Sequence, residues 1–398
     1  MQAKKFPVLL LLVGSNPLPN YLVACALKPE RLVLVYTSAT KWAYDRLVEA
    51  LDQCAGLGEV EIEPAFVSEP NSAVTMKRAL RPWLDDAKKP SQGFPQIWLN
   101  YTGGTKVMAA QARLIFERAG GESRHASYLD EGGAEQEPTL RFDDGSSQPL
   151  SNYPHLTLNL QAILMLHGIH ARPRSSKPPA PSEQDALAIL EGVLHRPELA
   201  AELHKERRRF EDAIAAKLPW KDLPPFVGEK HGLELSLSAF PNTSLSRAAF
   251  EQWYSFIGGE WLEAWTGSQL RALVPEADIT VGINAFRGEA KAQFEVDAAL
   301  VRGHRSYFIS CTTAQEKHLC KTKAFEIAVR ARHLGGDLAR SALVCLAGDK
   351  HTRALQHDIH ELWGASNSTR VFGFSDVCRW SNIDGPPNLS DLQHWLAS

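Results

Sequence analysis

Apolar runs and helical patterns alternate along the first 170 residues of the chain. Four of the runs predict strands, and the first, PVLLLLVG, is continuously apolar, as in parallel strands that are buried on both faces. These runs lie at residues 7–14, 31–37, 60–67 and 96–102. Apolar residues spaced three and four apart predict helices between them, most clearly at residues 40–54 and 73–87. The alternation predicts a doubly wound α/β sheet, closed by two strand patterns at residues 123–130 and 138–144.

A Pro-, Ser- and Arg/Lys-rich segment, ARPRSSKPPAPS, marks a boundary in the middle of the chain. It covers residues 171–182, and two helical patterns that we interpret as connectors follow at residues 183–194 and 197–218. From about Phe250 the pattern becomes helix, three strands, helix, strand, helix and strand, which predicts a second α/β unit. The expected domains are residues 1–170, a connecting region at 171–245, and residues 246–398.

Composition narrows the class of protein. Hydrophobic residues make up 44% of the 398 residues and charged residues 22%, with a net charge of −3, which is typical of a globular protein. The N-terminal MQAKKFPVLLLLVGSNP is similar to a signal peptide, but it lacks a small-residue cleavage site, so a buried first strand is expected. The six cysteines are scattered without a CxxC motif, which predicts a cytoplasmic protein without a disulfide framework. No apolar run is long enough to span a membrane.

The fourth apolar run ends in a polar segment that a helical pattern follows at once. Two glycines would let the backbone approach a phosphate closely, and unpaired amides at a helix N-terminus attract anions. Hydroxyl groups and a lysine would add hydrogen bonds and charge, although the spacing of a Walker A loop is absent. A strand–helix turn with a capping threonine is the plainer alternative. The number of polar groups favours a ligand-binding loop, and its candidate residues are Asn100, Thr102, Gly103, Gly104, Thr105 and Lys106.

Two other strands of the same unit end in polar residues. Because ligands bind beyond the carboxyl ends of parallel strands, these ends are expected to share one pocket with the polar segment. A set of merely polar loops is the alternative, and it is strongest for the second strand. The candidates are Gly14, Ser15, Asn16 and Pro17 after the first strand, and Thr37 and Ser38 after the second.

The second unit contains a pair of carboxylates on one predicted strand. In FEVDAALV, Glu295 and Asp297 are two residues apart, so both side chains are expected on one face of the strand. On the next strand Ser310 and Thr312 share a face, and Cys311 takes the other. Neighbouring carboxylates are what a hard divalent cation requires. A solvated acidic strand edge is the alternative, but it explains poorly an aspartate within so apolar a run.

Taken together, these motifs resemble a known family. The strand–YTGGTK–helix element and the early Gly-Ser-Asn-Pro loop are similar to the CARF domain, the Rossmann-like sensor of CRISPR-associated proteins. The segments GGEWLEAW and FEVDAALV, with a helix that ends in HLGG, resemble the PD-(D/E)xK restriction-endonuclease-like domain of CARF nucleases. The resemblance implies a homodimer with one symmetric pocket. It also implies a cyclic oligoadenylate, most often cyclic tetra-adenylate, as the allosteric activator.

The resemblance also implies roles for acidic residues of the second unit. Glu263 matches the family's helix glutamate, Asp297 its metal-binding aspartate, and Glu295 the acidic residue two before it. Mn²⁺ or Mg²⁺ would then be bound by Glu263, Asp297 and the backbone carbonyl of Cys311.

The third motif of the family is altered here. Ser310 stands where the family commonly has a glutamate, and Thr312 stands where it has a lysine. Loss of that lysine should slow catalysis by orders of magnitude unless another cation replaces it. Lysines of the following helix are candidates, with Lys321 and Lys317 ranked above Lys323.

Three functions follow from these observations. The resemblance favours a cyclic oligoadenylate-activated, metal-dependent nuclease of type III CRISPR antiviral defence, which cleaves DNA, RNA or both. The altered third motif favours instead a ligand-responsive, nucleic-acid-binding regulator with an inactive nuclease fold. A ring nuclease, whose CARF pocket degrades its own activator, is the third alternative.

Overall fold

The computed structural model describes most of the chain. Its description covers residues 6–53, 57, 60–86, 97–132, 137–173, 177–223, 225–237, 244–287, 294–363, 369–381 and 385–397. Some predicted features lie outside the described residues, among them the helix ends at Cys54 and Ala87, the strand start at Gln96 and the linker residues 174–176.

The first sheet has seven strands in the order β3-β2-β1-β4-β5-β6-β7. The five strands from β3 to β5 pair in parallel, and β6 and β7 add antiparallel edges. The strand bounds are β1 Phe6–Leu12, β2 Pro29–Tyr36, β3 Glu61–Phe66, β4 Ile97–Asn100, β5 Ala126–Asp130, β6 Thr139–Phe142 and β7 Ser147–Pro149. The strand order reverses between β1 and β4, and such a switch point opens a crevice above the sheet.

Helices cover both faces of this sheet. Their bounds are α1 Leu18–Leu27, α2 Lys41–Asp52, α3 Ala73–Asp86, α4 Lys106–Arg118 and α5 Leu160–Leu166. Alternate residues of β1 enter two cores: Leu10 and Leu12 pack with α3 and α4, whereas Leu9 and Leu11 pack with α1, α2 and α5. The continuous apolar run in β1 is therefore explained by burial on both faces.

The second sheet has six strands in the order β13-β12-β11-β10-β9-β8. Its strands are β8 Ile169–Pro173, β9 Asp278–Arg287, β10 Phe294–Arg302, β11 Arg305–Thr312, β12 Ala339–Cys345 and β13 Thr369–Phe372. The helices are α6 Glu183–His195, α7 Glu198–Ala215, α8 Arg247–Ser255, α9 Trp261–Leu273, α10 Lys317–Gly335, α11 Asp349–Trp363, α12 Phe374–Trp380 and α13 Ser390–Ala397. Strand β8 differs from the prediction, because residues 171–173 of the expected linker pair with β9.

The single helix expected at residues 250–273 is divided into α8 and α9. Between them lies a π-helical segment, Phe256–Glu260, which contains two glycines. A Cβ atom on Gly258 would lie 2.2 Å from Cδ of Arg207, so α7 crosses this segment in close contact. The connecting helices α6 and α7 contribute buried residues to the same hydrophobic cluster as α8 and α9, and so belong to the core of the second unit.

One hydrophobic cluster joins the two sheets. It contains Leu9 and Ile163 of the first unit together with Val301, Phe308 and Ile327 of the second. A hydrogen bond crosses as well, from the backbone N–H of Leu160, at the start of α5, to Oδ2 of Asp278 at 3.1 Å. The two units are therefore packed on each other through a shared apolar core.

Candidate functional site

Two glycine-containing loops meet above the switch point between β1 and β4. A Cβ atom on Gly103 would lie 1.9 Å from the carbonyl oxygen of Leu12 and 2.8 Å from the amide nitrogen of Gly14. Gly104 has a φ of 76°, a conformation that favours glycine. The loops after β1 and β4 are therefore in direct backbone contact, and the predicted residues at 14 and 103–104 lie together.

Asn100 and Thr102 fix the loop after β4 through hydrogen bonds to each other and to β5. The buried Asn100 donates through Nδ2 to Oγ of Ser127 at 3.2 Å, and its Oδ1 accepts from the hydroxyl of Thr102 at 2.7 Å. The Thr102 Oγ1 in turn accepts from the backbone N–H of Leu129 at 2.6 Å. Both side chains therefore form their hydrogen bonds within the protein, and they fix the loop on the side that faces the sheet.

The start of α4 offers the exposed positive groups of this site. Thr105 is the N-cap, and its Oγ1 accepts from the backbone N–H of Met108 at 3.2 Å. Lys106 is exposed at the first position of the helix, and the first turn contains no acidic residue. The positive end of the helix dipole and the lysine therefore act on the same surface.

The other predicted ligand residues divide into two groups. Ser15 and Ser38 are exposed, whereas Pro17 and Thr37 are buried. Thr37 is tied into the loop through its backbone N–H, which donates to Oγ1 of Thr40 at 3.0 Å.

Asn16 is turned towards the second unit. Its Nδ2 would lie 2.5 Å from a Cβ atom on Gly336, and its Oδ1 accepts from the backbone N–H of Leu18 at 3.1 Å.

Sequence reasoning missed Asn20, which supports the first loop. It is fully buried in α1, and its Nδ2 donates to the carbonyl of Leu12 at 2.9 Å, the same carbonyl against which Gly103 packs. The available signal was an asparagine inside the otherwise almost wholly apolar helix LPNYLVACAL. A buried polar side chain is retained where it satisfies a backbone group, here at the end of β1.

The segments after β1 and β5 of the first unit touch the C-terminal end of α10. In addition to the contact between Asn16 and Gly336, Oε2 of Glu131 accepts a hydrogen bond from the backbone N–H of Asp337 at 3.2 Å. Burial, with a further contribution from the charge of Asp337, raises the pKa of Glu131 to about 7. We call this contact, formed by Asn16, Glu131, Gly336 and Asp337, the inter-unit junction.

The second predicted site centres on Asp297, which is buried. Its Oδ2 accepts from the hydroxyl of Ser310 at 2.9 Å and from the backbone N–H of Cys311 at 2.6 Å. Burial raises the pKa of Asp297, and the nearby charge of Glu295 acts in the same direction. Glu263 is also buried, on α9.

Glu295 and Asp297, which were predicted to lie on one face of β10, differ in burial, because Glu295 is exposed and Asp297 is buried. The side chains of β10 do not alternate strictly between the two faces of the sheet. Val296 and Ala299, three residues apart, lie in the cluster that joins the two sheets, whereas Ala298 lies in the cluster of the second unit. The register with β9 places Gly282, with a φ of 67°, opposite Asp297.

The altered third motif takes part in local hydrogen bonding. The hydroxyl of Ser310 is engaged by Asp297, and Oγ1 of Thr312 accepts from the backbone N–H of Ala314 at 3.3 Å. Lys317 and Lys321, the lysines ranked first, both pair with Oδ2 of Asp358 on α11, at 3.2 and 3.1 Å.

The described ranges contain neither a cluster of metal-binding side chains nor a helix able to span a membrane. No group of three or more His, Cys, Asp or Glu residues there is placed to hold a metal ion. The predicted set contains only two carboxylates and a backbone carbonyl, so it would not form such a group. None of the described helices has the length and apolar character needed to cross a bilayer.

A cavity of about 640 Å³ between the units, beside Arg46 and His170, is lined by none of the predicted site residues.

Comparison with known proteins places this fold among solved structures. No protein-family model and no curated protein matches the sequence. Can2 from Sulfobacillus thermosulfidooxidans, solved in complex with cyclic tetra-adenylate, is 19% identical with a TM-score of 0.63, over 99% of this chain and 98% of that one. The protein VC1899 from Vibrio cholerae is 14% identical with a TM-score of 0.64, over 94% and 95% of the two chains.

The match to a third solved structure covers less than half of that structure's chain. This structure is a type III CRISPR defence DNA nuclease activated by cyclic oligoadenylate, 22% identical with a TM-score of 0.53, over 86% of this chain and 45% of that one. At these identities the likeness concerns the fold. The predicted α/β fold with two successive units is therefore confirmed.

Proposed function

We propose that this protein is a cyclic oligoadenylate sensor joined to a metal-dependent nuclease, and that it acts in type III CRISPR antiviral defence. The observation that carries the proposal is the direct contact between the Gly14 and Gly103–Gly104 loops at the switch point of the first sheet. Ligands of doubly wound sheets bind at such points. The likeness in fold to a structure that contains cyclic tetra-adenylate, over nearly the whole of both chains, supports the choice of ligand.

The charge at this site suits a ring of phosphates. Lys106 and the dipole of α4 supply positive charge without an acidic residue in the first turn, and the first amides of the helix have no partner within it. Each exposed phosphate of a cyclic oligonucleotide could therefore meet an amide, a hydroxyl of Ser15 or the ammonium group. Asn100, Thr102 and Thr105 would act indirectly, by fixing the loop and the start of the helix.

A homodimer is part of the proposal, because a symmetric ring of four nucleotides fits a twofold axis. Exposed apolar side chains next to the lysine suggest the contact surface. Val107 and Leu114, two turns apart on α4, are 43% and 44% exposed, and Val74 on α3 is 76% exposed. A second copy on this surface would cover the apolar groups and bring a second Lys106 towards the first.

The second unit would contribute the nuclease. Asp297, Glu263 and the carbonyl of Cys311 are the residues that would hold Mn²⁺ or Mg²⁺, because hard cations prefer oxygen ligands. The raised pKa of Asp297 fits this role, since a cation beside a buried carboxylate offsets the charge that burial disfavours. When bound, the metal would polarise a phosphodiester and activate water. We also propose a cytoplasmic location, where thiols remain reduced.

A regulator without nuclease activity is the second candidate, and a specific observation favours it. Ser310 donates its hydroxyl to Asp297, where the family's glutamate would add a second carboxylate. Thr312 likewise supplies no charge at the position of the family's lysine. On this reading the second unit would bind nucleic acid and respond to the ligand without cleaving it.

One set of measurements with the full-length chain tests these proposals. Calorimetric titration with cyclic tetra-adenylate should show binding. Plasmid DNA and single-stranded RNA, incubated with Mn²⁺ or Mg²⁺, should be cleaved faster when the ligand is present. Binding without cleavage would select the regulator, and chromatographic loss of the intact ring would indicate a ring nuclease. Absence of binding to any cyclic oligoadenylate would refute the sensor.

A further inference from the structure

The lysines of α10 lie on two different flanks of the helix. Lys317 and Lys321 are four residues apart and therefore neighbours on one flank. Both Nζ atoms pair with Oδ2 of Asp358 on α11, at 3.2 and 3.1 Å. That carboxylate accordingly directs the two lysines towards α11. Lys323 is two residues beyond Lys321, and residues with this spacing point in different directions from a helix.

Arg330, on the same flank of α10 as Lys323, contacts β10. Arg330 lies seven residues, or about two helical turns, after Lys323 on the same flank. Its Nη1 donates to the backbone carbonyl of Glu295 at 2.7 Å, and its Nη2 pairs with Glu326, one turn before it. The buried face of the helix, which includes Cys320, Ala324, Ile327 and Ala331, separates this flank from that of Lys317 and Lys321.

This geometry gives Lys323 access to the acidic end of β10. Its side chain is exposed, so the ammonium group can move on a stem of about 6 Å. Glu295, which Arg330 contacts, and the buried Asp297 are the two carboxylates on that end of the strand. Consistent with this placement, Ile327 and Ala331 of α10 lie in the same hydrophobic cluster as Val296, the residue before Asp297 on β10.

We propose that Lys323 is the residue that supplies positive charge to the Asp297 site, in place of the lysine that is absent at position 312. This inference rests on the proposed nuclease function and goes beyond it by naming the cation. Thr312 cannot be charged, and Lys317 and Lys321 are occupied by Asp358. An ammonium group beside Asp297 would stabilise the negative charge that develops on a phosphate as its diester bond is hydrolysed.

Cleavage kinetics with the full-length protein, cyclic tetra-adenylate and Mn²⁺ test the role. Lys323→Met should lower kcat by about 100-fold with little change in KM, because the charge acts in the transition state. Lys323→Arg should recover at least about a tenth of the wild-type rate, since it keeps the charge. Lys205→Met, at an exposed position on α7, is the control and should leave kcat unchanged. Lys321→Met and Lys317→Met test the two lysines that pair with Asp358, and each should lower kcat by less than about threefold. An equal loss in Lys321→Met or Lys317→Met, or an unchanged kcat in Lys323→Met, would overturn the inference.

A double-mutant cycle separates this inference from the nuclease proposal, because it does not depend on activity. The free energy of unfolding is measured for Lys323→Met, Asp297→Asn and the double variant, with Lys321→Met as the control partner. If the two groups interact, the cycle should show a coupling of about threefold in the unfolding equilibrium constant for Lys323 and none for Lys321. A wild type that cleaves no nucleic acid would refute the nuclease. Absence of coupling would overturn the role of Lys323 in either case.

Discussion

Protonation of Glu131 should control the stability of the inter-unit junction. Its carboxylate accepts a hydrogen bond from the backbone N–H of Asp337, which lies in the second unit. A further charged neighbour, Asp130, lies in the first unit. Arg332 lies 3.8 Å from the Asp337 carboxylate, and Arg340 donates to the Asp337 carbonyl at 3.0 Å. Burial and the adjacent carboxylate raise the pKa of Glu131 from its ordinary 4.5 to about 7.

The sign of the effect follows from proton linkage. Between pH 4.5 and about 7 the folded protein keeps a proton on Glu131 that the unfolded chain has released. The free energy of unfolding therefore falls as the pH rises through this window, by at most about 3 kcal/mol for a shift of this size. Roughly 2.5 kcal/mol of that change should lie between about pH 5 and pH 8. Glu131→Gln keeps a hydrogen-bond acceptor but removes the titration.

Urea unfolding at pH 5, 6, 7 and 8, followed by circular dichroism, measures the effect. We expect Glu131→Gln to gain stability over the wild type with rising pH, by up to about 2.5 kcal/mol at pH 8. Glu69→Gln, which changes an exposed glutamate of the same unit, is the control and should follow the wild type. Parallel curves for the wild type and Glu131→Gln would show that the junction does not hold a proton.

Three further predictions concern the proposed function. Lys106→Ala should weaken cyclic tetra-adenylate binding by about tenfold or more in calorimetry, because it removes a charged hydrogen-bond donor. Lys205→Ala, at an exposed position on α7, should leave the affinity unchanged, and equal affinities would reject the binding loop. Leu114→Asp should convert a dimer into a monomer in light scattering, whereas Leu218→Asp, at another exposed apolar position, should not. Asp297→Ala should abolish metal-dependent cleavage but leave ligand binding intact, and residual cleavage at the wild-type rate would exclude the site.

The parts of the fold that the sequence predicts well are those that local patterns encode. The run VLLLLV in β1 is apolar at every position because the strand is buried on both faces. The glycine pair at 103–104 identifies a close backbone contact, since position 103 has no room for a Cβ atom. The first inference needs no knowledge of distant residues and agrees with the structure. The glycines were expected to approach a phosphate, which stays a prediction, and their contact with Leu12 and Gly14 was not foreseen.

Features that depend on distant partners were harder to predict. Strand β8 begins with a short apolar segment and continues into ARP, so its pairing with β9 has no local signal. The ranking of lysines on α10, which stays a prediction, took no account of Asp358, which lies on the next helix and pairs with Lys317 and Lys321. Spacing within one helix gives the relative direction of its side chains, but the identity of the neighbouring elements comes from the sheet order.

The position of β8 has a consequence for folding during synthesis. Its residue Ile169 pairs with Arg287, so the ribosome must make more than one hundred further residues before the partner strand exists. At elongation rates of about 5 to 20 residues per second this takes roughly 5 to 20 seconds. During that time the first sheet can complete itself, because β1 to β7 all precede β8 in the chain. The edge of β8 is then exposed on a nascent chain, where a strand without its partner is open to wrong pairing.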